Sequence, residues 1–205
     1  MLNVWCATFA WDIWQAVDWL EDDVRAPTGE VCLLFTDVEG STQLWEASPR
    51  AMADALALHN RLLRALLVVH QGYEVKTEGD AFMVAFEHPA QAVAWCAEAQ
   101  LALAEADWPP LLETLGGPTG LSVRMGGHLG RPTCQVDPVT GRMDYFGPVV
   151  NRAARVGSAG HGGQIVVTRA VADGAVGCGG VSFVPLGRHG LRGLRQPAEL
   201  VMVVP

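Results

Sequence analysis

Two aspartates stand where predicted strands end, and their carboxylates could hold metal ions. Asp37 follows "VCLLF" (31–35), an apolar run typical of a buried strand, and Asp80 lies in a Gly-Asp turn between two alternating stretches. If these strands are neighbours, the two carboxylates repel each other unless cations join them, and oxygen ligands suit Mg²⁺ or Mn²⁺. We therefore expect a pair of divalent ions here. The alternative is that both aspartates only accept hydrogen bonds from backbone amides in their turns.

The segment "EGST" (39–42) directly follows the first aspartate and could bind phosphate. Its Gly40, Ser41 and Thr42 stand where a short helix is predicted to begin. Free amides at a helix start bind phosphate oxygens, and a glycine lets a ligand approach the backbone. Beside a metal pair, this turn predicts a nucleoside triphosphate. An ordinary helix cap by Ser41 or Thr42 is the alternative.

Two further pairs could recognise the rest of a nucleotide. Asn151 and Arg155 are four residues apart on the predicted helix "PVVNRAARVGSA", so they share one face. An amide beside a guanidinium can hold a ribose and a phosphate that gains charge in the transition state. Lys76 and Asp144, a donor and an acceptor on predicted strands, complement the amino group and ring nitrogen of adenine. Each of the four could instead be a solvated surface residue.

The elements that must position these residues follow the order strand, helix, strand, strand, helix, strand. This order predicts an α+β fold with a ferredoxin-like βαββαβ core, in which one antiparallel sheet carries two helices on one face. The first strand then lies centrally, beside the hairpin. The evidence for each element is its hydrophobic period and its breakers. These core elements are the strand at 31–36, a helix from Pro49 to Gly72, the hairpin 73–86, a helix from Pro89 to Pro109, and the strand 121–130.

The rest of the chain extends this core. A hairpin around "DPVTGRMDYFG", a further helix (148–159), the strand "GQIVVT", and two strands near 181–186 and 198–204 are predicted. The stretch 107–120 is expected to be a flexible insertion.

The amino-acid composition limits the classes of function that this chain is expected to have. The 205 residues suit one domain, and a net charge of −8 with a pI near 5.1 argues against a nucleic-acid surface. Five cysteines without CxxC or Cys/His spacing favour reduced thiols and an intracellular, cytoplasmic setting.

The start of the chain is rich in tryptophan. Residues 1–29 predict an amphipathic aromatic helix and a linker, packed on the chain's own domain or on a partner or sensor domain, and residues 30–205 are expected to form the main folded domain. Polar residues interrupt the apolar run, so neither a signal peptide nor a membrane span is expected.

In combination, these segments resemble the catalytic domain of class III nucleotidyl cyclases, over roughly residues 30–204. The resemblance is carried by "LLFTDVEGST", "YEVKTEGDAFMVAF", "DYFGPVVNRAARV", "GGQIVVT" and "LGRHGLRGLRQPAELVMVV", and is strongest to bacterial and protozoan members. It implies that Asp37 and Asp80, with the carbonyl of Val38, hold two divalent cations. One departure is Gly127, where the family usually has a branched apolar residue, and this glycine is expected to loosen its strand.

The resemblance also implies roles for the other polar residues. Lys76 and Asp144 would read adenine, Asn151 would orient the ribose, and Arg155 would stabilise the α-phosphate. Arg192 stands where the family commonly has a lysine directed at the terminal phosphates, which keeps the charge but changes the geometry. The implied reaction is attack of the ribose 3′-oxygen on the α-phosphate of ATP, giving 3′,5′-cyclic AMP and pyrophosphate. In the family each site is shared between two subunits, so a homodimer is implied.

Three other functions remain as alternatives. The first is a cyclase that uses GTP, although Lys76 and Asp144 favour ATP. The second is a non-catalytic nucleotide-binding or dimerisation module that regulates a partner cyclase, although such modules usually lose a metal aspartate or the Asn/Arg pair. The third is a diguanylate-forming relative, but its GG(D/E)EF turn is replaced here by "TEGDAF".

Overall fold

The computed structural model describes residues 24–109 and 120–205. The helices are α1 (Ser41–Ala47), α2 (Pro49–Val69), α3 (Pro89–Glu105), α4 (Pro148–Gly157) and α5 (Arg169–Gly174). The strands are β1 (Val31–Val38), β2 (Tyr73–Glu78), β3 (Ala81–Phe86), β4 (Val123–Gly130), β5 (Thr133–Val136), β6 (Met143–Phe146), β7 (Ile165–Thr168), β8 (Ser182–His189) and β9 (Ala198–Val204).

The main sheet has seven strands in the order β2-β3-β1-β4-β7-β9-β8, and β5 and β6 form a separate hairpin. The antiparallel part β2-β3-β1-β4 has the predicted ferredoxin-like order, with β1 beside the hairpin strand β3. Strand β7 then joins β4 in parallel, which makes the whole sheet mixed. The predicted α+β class and the extension of the core are confirmed.

Strand β1 divides the core into two layers because its side chains alternate between the two faces of the sheet. Cys32 and Leu34 pack with residues of α2 and α3 on one face. Val31 and Leu33 pack on the other face, with residues of α4 and the β5–β6 hairpin. A strand covered on both faces reads as a continuous apolar run, which is why "VCLLF" does not alternate.

Helix α2 ends against the start of β2. It begins at Pro49 and ends at Val69, after which Gln71 adopts a left-handed φ of 55°. A Cβ on Gly72 would lie 2.4 Å from Leu67 Cδ1 and 2.5 Å from Phe86 Cε1. The helical pattern thus ends before Gly72 as predicted, and the side chains of Leu67 and Phe86 pack closely against this glycine.

Two adjacent glycines in β4 allow close approach to the neighbouring strands. A Cβ on Gly127 would lie 2.0 Å from the carbonyl oxygen of Leu33, and one on Gly126 would lie 2.0 Å from that of Val166. Strand β4 nevertheless pairs with β1 along its whole length. The expectation that Gly127 loosens this strand is wrong, because the backbone is packed too tightly there for a side chain.

Both edge strands of the sheet are irregular. In β2, Glu74 pairs with Val84 and Lys76 pairs with Met83, so Val75 is an extra residue that forms a β-bulge. In β8, the register against β9 shifts between Pro185 and Gly187.

The predicted aromatic helix lies outside the described residues, which include only the last six positions of the segment 1–29, at its predicted linker, and the role of the helix stays a prediction. Most of the predicted insertion at 107–120 also lies outside them. Four cysteines are described, and all are free; Cys32 and Cys96 are buried. Within the described ranges, no helix has the length and apolarity needed to cross a bilayer.

Candidate active site

Strand β1 and the β2–β3 turn bring the two aspartates to one end of the sheet. Asp37 is the next-to-last residue of β1, and Asp80 follows Gly79, which has a φ of 65°, in the turn. The backbone N–H of Val38 donates to Asp80 Oδ2 at 3.2 Å. Asp80 therefore lies directly beside the residue that follows Asp37, and its carboxylate accepts a hydrogen bond from the backbone of β1.

A cation lies against Asp37. Arg124 of β4 is opposite Asp37 in the strand register, and its Nε and Nη2 both donate to Asp37 Oδ2, with an Nε distance of 2.9 Å. The side chain of Asp37 stays 39% exposed. Arg124 was missed by the sequence reasoning, although it alternates with the apolar Val123 and Met125 and so had to face away from α2 and α3.

The donor set fits a metal that is bound together with a triphosphate. Among the described residues, no group of three or more His, Cys, Asp or Glu side chains could hold a metal ion by itself. Mg²⁺ usually uses one or two carboxylates, with phosphate oxygens and waters as its other ligands. Asp37 and Asp80, with the nearby Val38 carbonyl, match that kind of site.

The turn after Asp37 has no side-chain cap. Helix α1 begins at Ser41, and its N-cap is Gly40, with a left-handed φ of 73° that favours glycine. The N-cap is a glycine without a side chain, and neither Ser41 nor Thr42 makes a capping hydrogen bond among the described residues, so the alternative of a cap by Ser41 or Thr42 is wrong. The two hydroxyls have no hydrogen-bond partner among the described residues.

Glu39 fixes this turn to the residue before β4 and to the loop that follows α4. Its backbone N–H donates to Ser122 O at 2.8 Å. Its carboxylate accepts from the N–H of Gly162 at 3.0 Å and lies 3.4 Å from His161 Nδ1. The Gly162 hydrogen bond, followed by the His161 contact, lowers the pKa of Glu39. The sequence reasoning did not assign this role to Glu39, which depends on a contact 123 residues away.

The side chains of Lys76 and Asp144 lie in contact, as expected for two residues that recognise one base together. Lys76 Nζ lies 3.2 Å from Asp144 Oδ2 and 3.5 Å from Oδ1. Asp144 Oδ1 also accepts from the N–H of Tyr145 at 2.7 Å. A partly exposed pair of this kind contributes at most about 1 kcal/mol, so a competing ligand can separate it at little cost.

Asn151, Arg155 and Arg192 are not hydrogen-bonded to either pair within the described residues. On α4, Ala153 and Val156 are buried, whereas Asn151 and Arg155 are exposed. Within the described residues these three side chains make no hydrogen bond or ion pair. The structure thus places Asp80 against the residue next to Asp37, joins Lys76 with Asp144, and leaves Asn151, Arg155 and Arg192 exposed to solvent.

The sequence of residues 24–204 matches the family model described as the adenylate and guanylate cyclase catalytic domain. The chain belongs to this family. The resemblance inferred from the motifs is therefore confirmed. An adenylate cyclase of Mycosarcoma maydis is 49% identical to this cyclase domain over 164 residues, which is 74% of the chain but 6% of that protein. The receptor-type adenylate cyclase GRESAG 4.3 of Trypanosoma brucei brucei is 35% identical over 209 residues, covering 86% of the chain and 17% of that protein.

Solved cyclase structures share the fold. Adenylate cyclases from Trypanosoma brucei, described in their monomeric state, include one with a TM-score of 0.82 and 34% identity, covering 87% of this chain and 91% of the other. The adenylyl cyclase CyaB of P. aeruginosa, at 23% identity and a TM-score of 0.74, agrees in fold and covers 86% of this chain and 94% of its own. The chain covers most of both solved structures, but it spans only 6% and 17% of the length of the two curated relatives named above.

Proposed function

We propose that this cyclase domain converts ATP to 3′,5′-cyclic AMP and pyrophosphate, at a site that a second copy of the chain completes. Membership of the family supports a cyclase. The observation that favours ATP is the contact between Lys76 and Asp144, which presents a donor beside an acceptor to the edge of the base. Adenine offers the complementary ring nitrogen and amino group.

The two aspartates form the metal side of the proposed site. Asp37, Asp80 and the carbonyl of Val38 would hold two divalent cations, Mg²⁺ or Mn²⁺, which when bound acidify the ribose 3′-hydroxyl and neutralise the triphosphate. Arg124 adds a positive charge next to Asp37. The amides of Gly40, Ser41 and Thr42 then face the phosphate oxygens.

The other side of the site performs orientation and charge stabilisation. Asn151 holds the ribose so that its 3′-oxygen is aligned with the α-phosphate, and Arg155 stabilises the charge that develops there. Arg192 contacts the terminal phosphates. The new bond joins the 3′-oxygen to the α-phosphorus, the bond to the β-phosphate oxygen breaks, and pyrophosphate leaves while the hydroxyl proton passes to solvent.

The position of these residues supports a second copy. Asn151 and Arg155 are exposed and make no hydrogen bond to the metal side of their own chain within the described residues. The β5–β6 hairpin also exposes Val136, Val139 and Phe146, apolar side chains that an interface would bury. A homodimer with two shared sites accounts for both features.

The decisive experiment identifies the product. Purified chain at high concentration is incubated with ATP or GTP and Mn²⁺, then Mg²⁺, and products are resolved by mass spectrometry. We expect cyclic AMP from the wild type, its loss in Asp37→Ala, and its retention in the matched control Asp54→Ala, which alters an exposed aspartate of α2. Cyclic GMP alone would overturn the base assignment. No cyclic product from a confirmed dimer would favour a non-catalytic module.

A further inference from the structure

The bulge in β2 changes the face on which Lys76 lies. In a regular strand, Glu74 and Lys76 would point to the same face of the sheet because side chains alternate. In the structure, the Glu74 carboxylate contacts Arg64 of α2, whereas Lys76 contacts Asp144 of β6. Helix α2 and strand β6 pack on opposite faces. The extra residue Val75 is what turns Lys76 toward Asp144.

The side chain of Glu74 is fixed from the helix side. Arg64 Nε donates to Oε2 at 2.8 Å, and Arg64 Nη2 donates to Oε1 at 2.9 Å. The hydroxyl of Thr77 donates to the same Oε1 at 2.7 Å. Burial alone would raise the pKa of Glu74, but the hydrogen bonds from Arg64 and Thr77 outweigh it and lower the pKa. Glu74 is therefore ionised at neutral pH, and this two-pronged ion pair has a defined geometry.

The backbone of the bulge is fixed from the opposite side. Arg142 Nη2 donates to the carbonyl oxygen of Glu74, and the Arg142 guanidinium lies 5.0 Å from the centre of the Tyr73 ring. The hydroxyl of Tyr73 in turn accepts from the N–H of Met143 at 2.9 Å. Arg142 and Met143 directly precede Asp144, so the bulge is attached to the strand that carries the partner of Lys76.

We propose that Glu74, held by Arg64 and Arg142, is a positioning residue for nucleobase selection. It does not contact the base; it holds the bulge that directs Lys76 toward Asp144. This inference rests on the proposed function, in which Lys76 and Asp144 read adenine. Thr77 supports Glu74, Asp37 and the phosphate-binding turn lie on other elements, and Asp80 lies beyond the end of β2, in the turn to β3. Loss of the Glu74 contacts should therefore affect base selection more than turnover at saturation.

The test separates base selection from chemistry. For Glu74→Gln we expect the KM for ATP to rise about tenfold and the ratio of kcat/KM for ATP over GTP to fall about tenfold, while kcat at saturating ATP changes less than about threefold. Arg142→Gln, on the exposed side of the bulge, should act in the same direction. The control Glu98→Gln, which breaks a contact between α3 and His70 at the end of α2, should leave the ratio unchanged.

A double-mutant cycle adds a readout that general loosening would not give. Arg64→Gln and Glu74→Gln each break the ion pair between these two side chains, so their combined effect on the ATP/GTP ratio should be clearly smaller than the sum of the separate effects. Competition of ATP and GTP with a fluorescent nucleotide gives the same ratio without turnover. A wild type that produces no cyclic nucleotide counts against the proposed function. An unchanged ratio in folded Glu74→Gln and Arg142→Gln, in either assay, overturns this inference.

Discussion

At the residue scale, a cation shapes the proposed metal site. Asp37 and Asp80 bring two negative charges to one end of the sheet, and the Arg124 guanidinium on Asp37 offsets part of their repulsion. Sequence alone could propose both aspartates because each follows a recognisable strand or turn. It could not pair Asp37 with Arg124, since that contact joins residues 87 positions apart and depends on the register of β4 against β1.

His128 gives the fold a predictable acid sensitivity. Its Nδ1 lies 2.9 Å from Thr168 Oγ1, and burial, followed by the charge of Arg152, lowers its pKa from 6.5 to about 4. Between those two pH values the unfolded chain binds a proton that the folded chain refuses. The contribution of this group to stability is therefore greatest above about pH 6.5 and falls as pH drops toward about 4, by less than about 3 kcal/mol because the imidazole is only partly buried and solvent screens its charge.

Urea unfolding across this pH range tests the assignment. In His128→Gln, the fall in unfolding free energy between about pH 6.5 and about pH 4 should be smaller than in the wild type, by less than about 3 kcal/mol. The exposed His189→Gln serves as the control and should keep the wild-type slope. Identical slopes in all three proteins would assign the acid sensitivity to other groups.

At the scale of elements, local sequence patterns predict the helices and strands of the core, but they do not predict the irregular positions within the strands. The Gly79-Asp80 turn and the proline at the start of α2 are local signals, and the hairpin and helix follow them. The bulge in β2 was not predicted, because "YEVK" reads as ordinary alternation. Its contacts come from Arg64 on a helix and Arg142 in another hairpin, which no local pattern encodes.

The glycine pair of β4 should be intolerant of any side chain. We expect Gly127→Ala to destabilise the fold by about 2 kcal/mol or more, because its Cβ would overlap the Leu33 carbonyl and lie 2.6 Å from Leu34 Cδ2. Gly179→Ala is the matched control, since a Cβ there has no neighbour within 4 Å. Equal midpoints for the two variants in urea unfolding would contradict the close packing described for this strand.

At the scale of the whole molecule, the proposed site is divided between two copies of the chain. In the proposed homodimer, the metal aspartates of each site belong to one copy, and Asn151 and Arg155 come from the other. Complementation between inactive variants tests this division directly. A mixture of Asp37→Ala and Arg155→Ala chains places both defects in one site of each heterodimer and leaves the other intact. Random pairing should restore about a quarter of wild-type activity.

The matched control combines two defects on the metal side. Asp37→Ala mixed with Asp80→Ala leaves every site with one damaged metal ligand, so no activity should return. Cyclase assays over a range of protein concentrations measure both mixtures. Equal behaviour of the two mixtures would place all the residues of a site within one chain. Sequence reasoning reached this division only through resemblance, because the spacing of residues along one chain cannot show which copy they serve.

The irregular edges of the sheet restrict how copies of the chain can associate. The strands at the two ends, β2 and β8, would each present unpaired amides and carbonyls to a neighbouring molecule, the usual route to aggregation through strand addition. The extra residue at Val75, together with Pro185 and the register shift beside it, breaks the straight edge that an incoming strand needs. The bulge that directs Lys76 thus also hinders the addition of a further strand at the edge of the sheet. Copies of the chain would then associate through side chains, including those of the exposed β5–β6 hairpin.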